Sequence, residues 1–106
     1  MVFVQKIHFL WRGDVDKLRS IFPMLINRFR KATKHITVNM EKRGGGILDF
    51  ELLDLRNQLV DYFQIRVRFD TADSMGANFI NSCLEEFGQE LKKFFVETEI
   101  FESKEK

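Results

Sequence analysis

Two segments of alternating polarity constrain this chain most. In residues 47–53, Leu48, Phe50 and Leu52 alternate with Ile47, Asp49 and Glu51; in residues 62–69, Phe63, Ile65, Val67 and Phe69 alternate with Tyr62, Gln64, Arg66 and Arg68. A period of two puts each set on one face of a strand, so both segments read as half-buried strands. The connection, residues 54–59, is short enough for an antiparallel hairpin. The register expected from it sets Asp49 and Glu51 opposite Arg66 and Gln64, with opposite charges meeting across the pair. A sheet with one apolar face needs a cover, and the flanking sequence supplies it.

Upstream, residues 2–11 are rich in β-branched and aromatic side chains and read as a strand closed by Arg12-Gly13-Asp14. Phe3, Gln5, Ile7, Phe9 and Trp11 form its more buried face. Asp14 is placed to cap a helix whose apolar stripe runs through Val15, Leu18, Ile21, Phe22, Leu25, Ile26 and Phe29. Pro23 interrupts that stripe, so the helix is expected to kink there, or to stop near Ser20 and restart. Residues 32–43 mix strand-forming Ile36, Thr37 and Val38 with helix-compatible spacing and are read as helical. The glycines at 44–46 end that element.

Downstream, Phe79, Ile80, Cys83, Leu84, Phe87, Leu91, Phe94 and Phe95 mark a long amphipathic helix. Residues 97–103 alternate as a short last strand. Strand, helix, hairpin, helix, strand is the split βαβ plan, so the expectation is an α+β, ferredoxin-like βαββαβ sandwich with helices on one face of an antiparallel sheet.

With 106 residues and 44% apolar content, the chain supports one domain, residues 1–106, and excludes intrinsic disorder. A net charge of +1 argues against a dedicated duplex-DNA binder. The single cysteine, Cys83, has no internal disulfide partner and no Cys/His cluster has metal-ligand spacing. A reducing compartment follows, and with no signal-peptide pattern at the start the expected location is the cytoplasm. Cys83 lies on an apolar helix face and reads as core; His8 and His35 lack sequence-local partners and read as structural or surface residues.

The residues that discriminate among functions are Asp70-Thr71-Ala72-Asp73-Ser74-Met75-Gly76-Ala77-Asn78, between a strand and a helix. Asp73 suits an N-cap or a sugar hydroxyl. A missing side chain at Gly76 would expose first-turn amides, which with the helix dipole attract phosphate. Asn78 offers a donor and an acceptor one turn in.

These nine residues resemble the nucleotide-binding signature of 3-hydroxy-3-methylglutaryl-coenzyme A reductase. Asp70, Thr71, Asp73, Met75, Gly76, Ala77, Asn78 and Asn81 match its class II, bacterial-type form, while Ala72 and Ser74 depart from it. At Ala72 the family commonly has an arginine, so one cation is missing. Lys42-Arg43-Gly44-Gly45-Gly46 is similar to a Lys-Arg-Gly-Gly-Gly run that class II members place ahead of the hairpin.

The resemblance implies the excised small NAD(P)-binding domain of an oxidoreductase that interconverts hydroxymethylglutaryl-CoA and mevalonate by hydride transfer. It carries over Asp73, Met75, Gly76 and Asn78 as cofactor-binding residues. The family's catalytic glutamate, lysine, aspartate and histidine come from a larger domain and the partner subunit of a homodimer. Nothing here matches their motifs, so the fragment is expected to be inactive alone. No carboxylate lies in residues 34–39, and Lys34, Lys42 and Arg43 are close in sequence, which favours NADP over NAD.

The competing expectation is a ferredoxin-like module that binds RNA or a protein on its open sheet face. Tyr62, Gln64, Arg66 and Arg68 would carry it.

Overall fold

The longest helix forms in spite of its proline. In the computed structural model, which describes residues 2–72 and 76–97, helix α1 (Val15–Lys42) runs unbroken through Pro23. The stop and restart expected near Ser20 does not occur, and the ambiguous segment beyond residue 31 continues the same helix. Pro23 lacks the amide that would pair with the Arg19 carbonyl. Pro23 and Arg19 both lie on the exposed side of the helix. Leu18, Leu25, Phe29, Thr33, Thr37 and Met40 form a buried stripe that spans the proline. Each large apolar member contributes about 1.5–3 kcal/mol, so together they outweigh a penalty of about 3 kcal/mol at Pro23. The same stripe decides Ile36, Thr37 and Val38, whose β propensity yields to packing. Asp14 caps the helix as expected, accepting from the Asp16 amide at 2.9 Å.

Strands β1 (Val2–Leu10), β2 (Gly46–Asp54) and β3 (Tyr62–Asp70) form an antiparallel sheet in the order β1-β3-β2. Helix α2 (Ala77–Glu97) follows β3 and packs with α1 on one sheet face. Central β3 buries Phe63, Ile65, Val67 and Phe69 completely. Phe29 and Phe87 meet beneath them with ring centroids 4.7 Å apart. Cys83 is core as expected, and burial pushes its thiol up to about 12, so it packs as a small neutral group. The α+β class with antiparallel sheet and two helices agrees with the expectation and is compatible with the ferredoxin-like plan. The last expected strand, 97–103, lies outside the described residues except for Glu97, which closes α2.

The hairpin register differs from the expected one by two residues. Asp49 faces Arg68 and Glu51 faces Arg66, because β2 continues to Asp54, opposite Phe63. The connection is therefore longer, with Gln58 and Leu59 donating back to the Leu55 carbonyl and Asp61 at φ 62°. A bulge between Ile47 and Asp49 adds a second departure. It turns Leu48, expected in the core, out to 44% exposure and brings Ile47 against the core instead. One inserted residue exchanges faces while leaving the alternation beyond it intact.

The revised register gives both acidic residues an arginine. Arg68 Nε donates to both Asp49 oxygens, at 2.9 and 3.0 Å, and Arg66 pairs with Glu51. The Arg68 hydrogen bond holds the Asp49 carboxyl below its ordinary value. A carboxyl depressed in the folded state stabilises fully above its unfolded value and loses that contribution as pH falls through the folded one.

Two outcomes follow from these contacts. Pro23→Ala should raise unfolding stability by about 1–2 kcal/mol, the restored helical hydrogen bond exceeding the lost stiffness of the unfolded chain; a lower denaturation midpoint in urea would contradict the unbroken helix. In acid titrations followed by urea unfolding, wild-type stability should fall more steeply than that of Asp49→Asn as pH drops below 3.8, the ordinary carboxyl value. Parallel curves would show the pair to be inert.

Candidate functional site

Helix α1 ends in a glycine-dependent turn that aims the chain at β3. Arg43 is the C-cap, and Gly44 takes φ 92°, a left-handed conformation that costs glycine nothing. Its amide donates to the Glu41 carbonyl and the Gly45 amide to the Met40 carbonyl, both at 3.0 Å. That pair of bonds is a Schellman motif, which satisfies carbonyls the helix end would leave open. Gly45 then lies so close to β3 that a Cβ there would overlap the Asp70 carbonyl oxygen and sit 2.9 Å from Met40 Cγ. Gly46 pairs with Asp70 in the sheet, as does Val2 from the other side.

Asp70 is also where the second motif begins. The two segments, separate in sequence, thus share one end of the sheet. From Asp70 the chain turns through Ala72, which adopts φ 63° and donates its amide to Asp70 Oδ1 at 3.0 Å. A left-handed alanine costs about 1–2 kcal/mol, partly offset by that bond, which also holds the Asp70 carboxyl below its ordinary value. Thr71 is completely buried and reaches across the turn to Gly76. A Cβ at Gly76 would lie 2.5 Å from Thr71 Cβ and closer still to its methyl.

This corrects the expected reason for Gly76. Its side-chain-free face is filled by Thr71, so the glycine serves close packing of the turn and opens no approach on that face. Helix α2 starts at Ala77, and the Gly76 carbonyl accepts from the Ile80 amide at 2.9 Å. Gly76 therefore occupies the position adjoining the helix, where Asp73 was expected to cap. Asp73 and Met75 themselves lie outside the described residues.

Asn78 is exposed on the first turn of α2, and Asn81 follows on the same face. With Ser82, Leu84 and Glu85 they line a shallow depression. Two amide side chains and a hydroxyl suit a ligand rich in hydroxyl and phosphate oxygens, while the Glu85 carboxylate can accept from a hydroxyl but repels phosphate. Asn78 and Asn81 belong to the signature segment, whereas Ser82 and Glu85, each four residues further on along the helix, carry no motif in the sequence.

A carboxylate was also missed beside the glycine run. Glu41 extends over Gly46, and its carboxylate lies 3.6 Å from Lys34 Nζ. Lys34, one of the three cations whose sequence position favours NADP, is thus partly neutralised. His35 is exposed on α1, and His8 is exposed on the sheet, hydrogen-bonded to Tyr62.

The open sheet face offers less to RNA than its sequence suggested. Arg66 and Arg68 are held by Glu51 and Asp49, and the Tyr62 hydroxyl accepts from Gln64 at 2.7 Å.

If Thr71 and Gly76 are matched by packing, Gly76→Ala should destabilise the chain by about 2–3 kcal/mol through overpacking. Combined with Thr71→Gly in a double-mutant cycle, the alanine should cost at least about 1 kcal/mol less. Additive effects in urea unfolding would refute the contact.

Among the described residues, no helix is long and apolar enough to cross a membrane. Comparison with curated proteins gave no match. The family model described as hydroxymethylglutaryl-coenzyme A reductase matches residues 2–103, which include both motifs and every described element. That family comprises oxidoreductases dependent on a nicotinamide dinucleotide, with hydroxymethylglutaryl-CoA as the second ligand. A fold of the expected class, two motifs meeting at Asp70 and a match over nearly the whole chain converge, and the chain belongs to the hydroxymethylglutaryl-coenzyme A reductase family.

Proposed function

We propose that this chain is the small, dinucleotide-binding domain of a class II hydroxymethylglutaryl-CoA reductase, forming a single domain over residues 1–106. The observation that carries this reading is the meeting of the glycine run and the signature turn at Asp70, where Gly45 and Gly46 lie against the strand end that leads to α2. Bound there, the dinucleotide supplies or accepts the hydride exchanged between hydroxymethylglutaryl-CoA and mevalonate.

The chain's own part is to hold and orient. The first-turn amides of α2, at Ala77, Asn78 and Phe79, have no carbonyl one turn back in the helix, and the dipole adds positive potential where phosphate would dock. Asn78 adds directed hydrogen bonds, Gly76 keeps the turn tight against Thr71, Asp73 accepts from a sugar hydroxyl and Met75 completes the cofactor-binding set. The preferred dinucleotide is NADP, with NAD as competitor; Lys42 and Arg43 favour the extra phosphate, while Glu41 tempers Lys34. Catalytic groups come from the rest of the reductase and from the partner subunit of a homodimer, so this chain alone does not turn over substrate. The lone thiol of Cys83 is in keeping with a reducing, cytoplasmic setting.

Calorimetric titration tests the assignment. NADPH should bind more tightly than NADH, and Asn78→Ala should weaken NADPH by roughly five- to tenfold, as expected for one or two lost hydrogen bonds. Failure of both dinucleotides to bind would contradict the reading, and an unchanged affinity in the variant would remove Asn78 from the site.

A further inference from the structure

We infer that the C-terminal half of α1 guides the anionic dinucleotide electrostatically toward the Asp70 end, a role that rests on the reading above. The chain's net charge is only +1, but the charge is unevenly placed. This half of α1 carries Arg30, Lys31, Lys34 and Lys42 on its exposed side with Glu41 as its carboxylate, whereas α2 carries Glu85, Glu86 and Glu90 against Lys92 and Lys93. Glu41 engages Lys34, and the Arg30 guanidinium sits 5.2 Å from the centre of the Phe50 ring. Lys31 and Lys42 have no ion-pair partner among the described residues. Their charge projects into solvent on a helix that ends at the glycine turn.

The end of α1 itself bears the negative pole of the helix dipole, which opposes an approaching phosphate. The lysines reverse that field. Lys31 lies about 17 Å along the axis from Lys42, at 1.5 Å per residue. That distance is too long for contact with a ligand at the turn, but lies within the screening length of about 30 Å at 10 mM salt. Its influence therefore falls on encounter, leaving the bound state unchanged. Lys17, about 37 Å from Lys42, is the internal control on the same helix.

Stopped-flow fluorescence of NADPH mixed with the full chain reads the effect. At about 10 mM salt Lys31→Glu should lower the association rate about fourfold and Lys31→Gln about twofold, with Lys17→Glu under about 1.5-fold. Dissociation should be unchanged, and the differences should vanish near 0.5 M salt as screening shortens. An association rate in Lys31→Glu equal to wild type at low salt, or a change confined to dissociation, would overturn the guiding role and leave the binding assignment standing. No NADPH response from the wild-type chain would overturn both.

Discussion

A backbone contact that only glycine permits organises this molecule. Gly45 lies against the Asp70 carbonyl, and any side chain there would drive the end of α1 away from the end of β3. Because Gly46 pairs with Asp70 and Val2 pairs with it from the other edge, that separation would also open the sheet where all three strands meet. The signature turn leaves from the same residue. A second close approach, Thr71 on Gly76, then fixes where α2 begins. Position is thus passed from helix end to strand end to helix start through two contacts that exclude a Cβ.

The rest of the fold holds that end rigid. The β3 side chains Phe63, Ile65, Val67 and Phe69 are buried between two covering helices, and Phe29 from α1 and Phe87 from α2 meet beneath them. Arg28 of α1 bridges to Glu90 of α2 at 3.3 Å, tying the helices at mid-length. On the opposite sheet face, Glu51 and Asp49 neutralise Arg66 and Arg68 beside the exposed apolar side chains of Val2, Val4 and Leu10. The exposed amide side chains of Asn78 and Asn81 stand at one end of this frame, on the first turns of α2.

Much of this was legible in the sequence because it depends on periodicity. The alternation in residues 62–69 identified the buried face of β3, the Asp14 cap was readable, and the spacing of Phe79, Cys83 and Phe87 identified α2. What escaped was non-local or cumulative. No local rule weighs Pro23 against a stripe running from Leu18 to Met40, and the bulge at Leu48 is one residue in an otherwise regular pattern. The candidate site divides similarly. Asn78 stands exposed at a helix start, as read, whereas the reason for Gly76 was misread because its partner, Thr71, is brought back by the turn. That two glycine-containing motifs share Asp70 follows from strand pairing, which sequence spacing does not encode.

Mapping backbone amide shifts on addition of NADPH tests the central claim most directly. If the Asp70 junction is the dinucleotide site, perturbations should concentrate at residues 43–46, 70–72 and 76–81 and spare Tyr62, Gln64, Arg66 and Arg68 on the open sheet face. Perturbations centred on those four residues, with the two glycine turns unmoved, would contradict it.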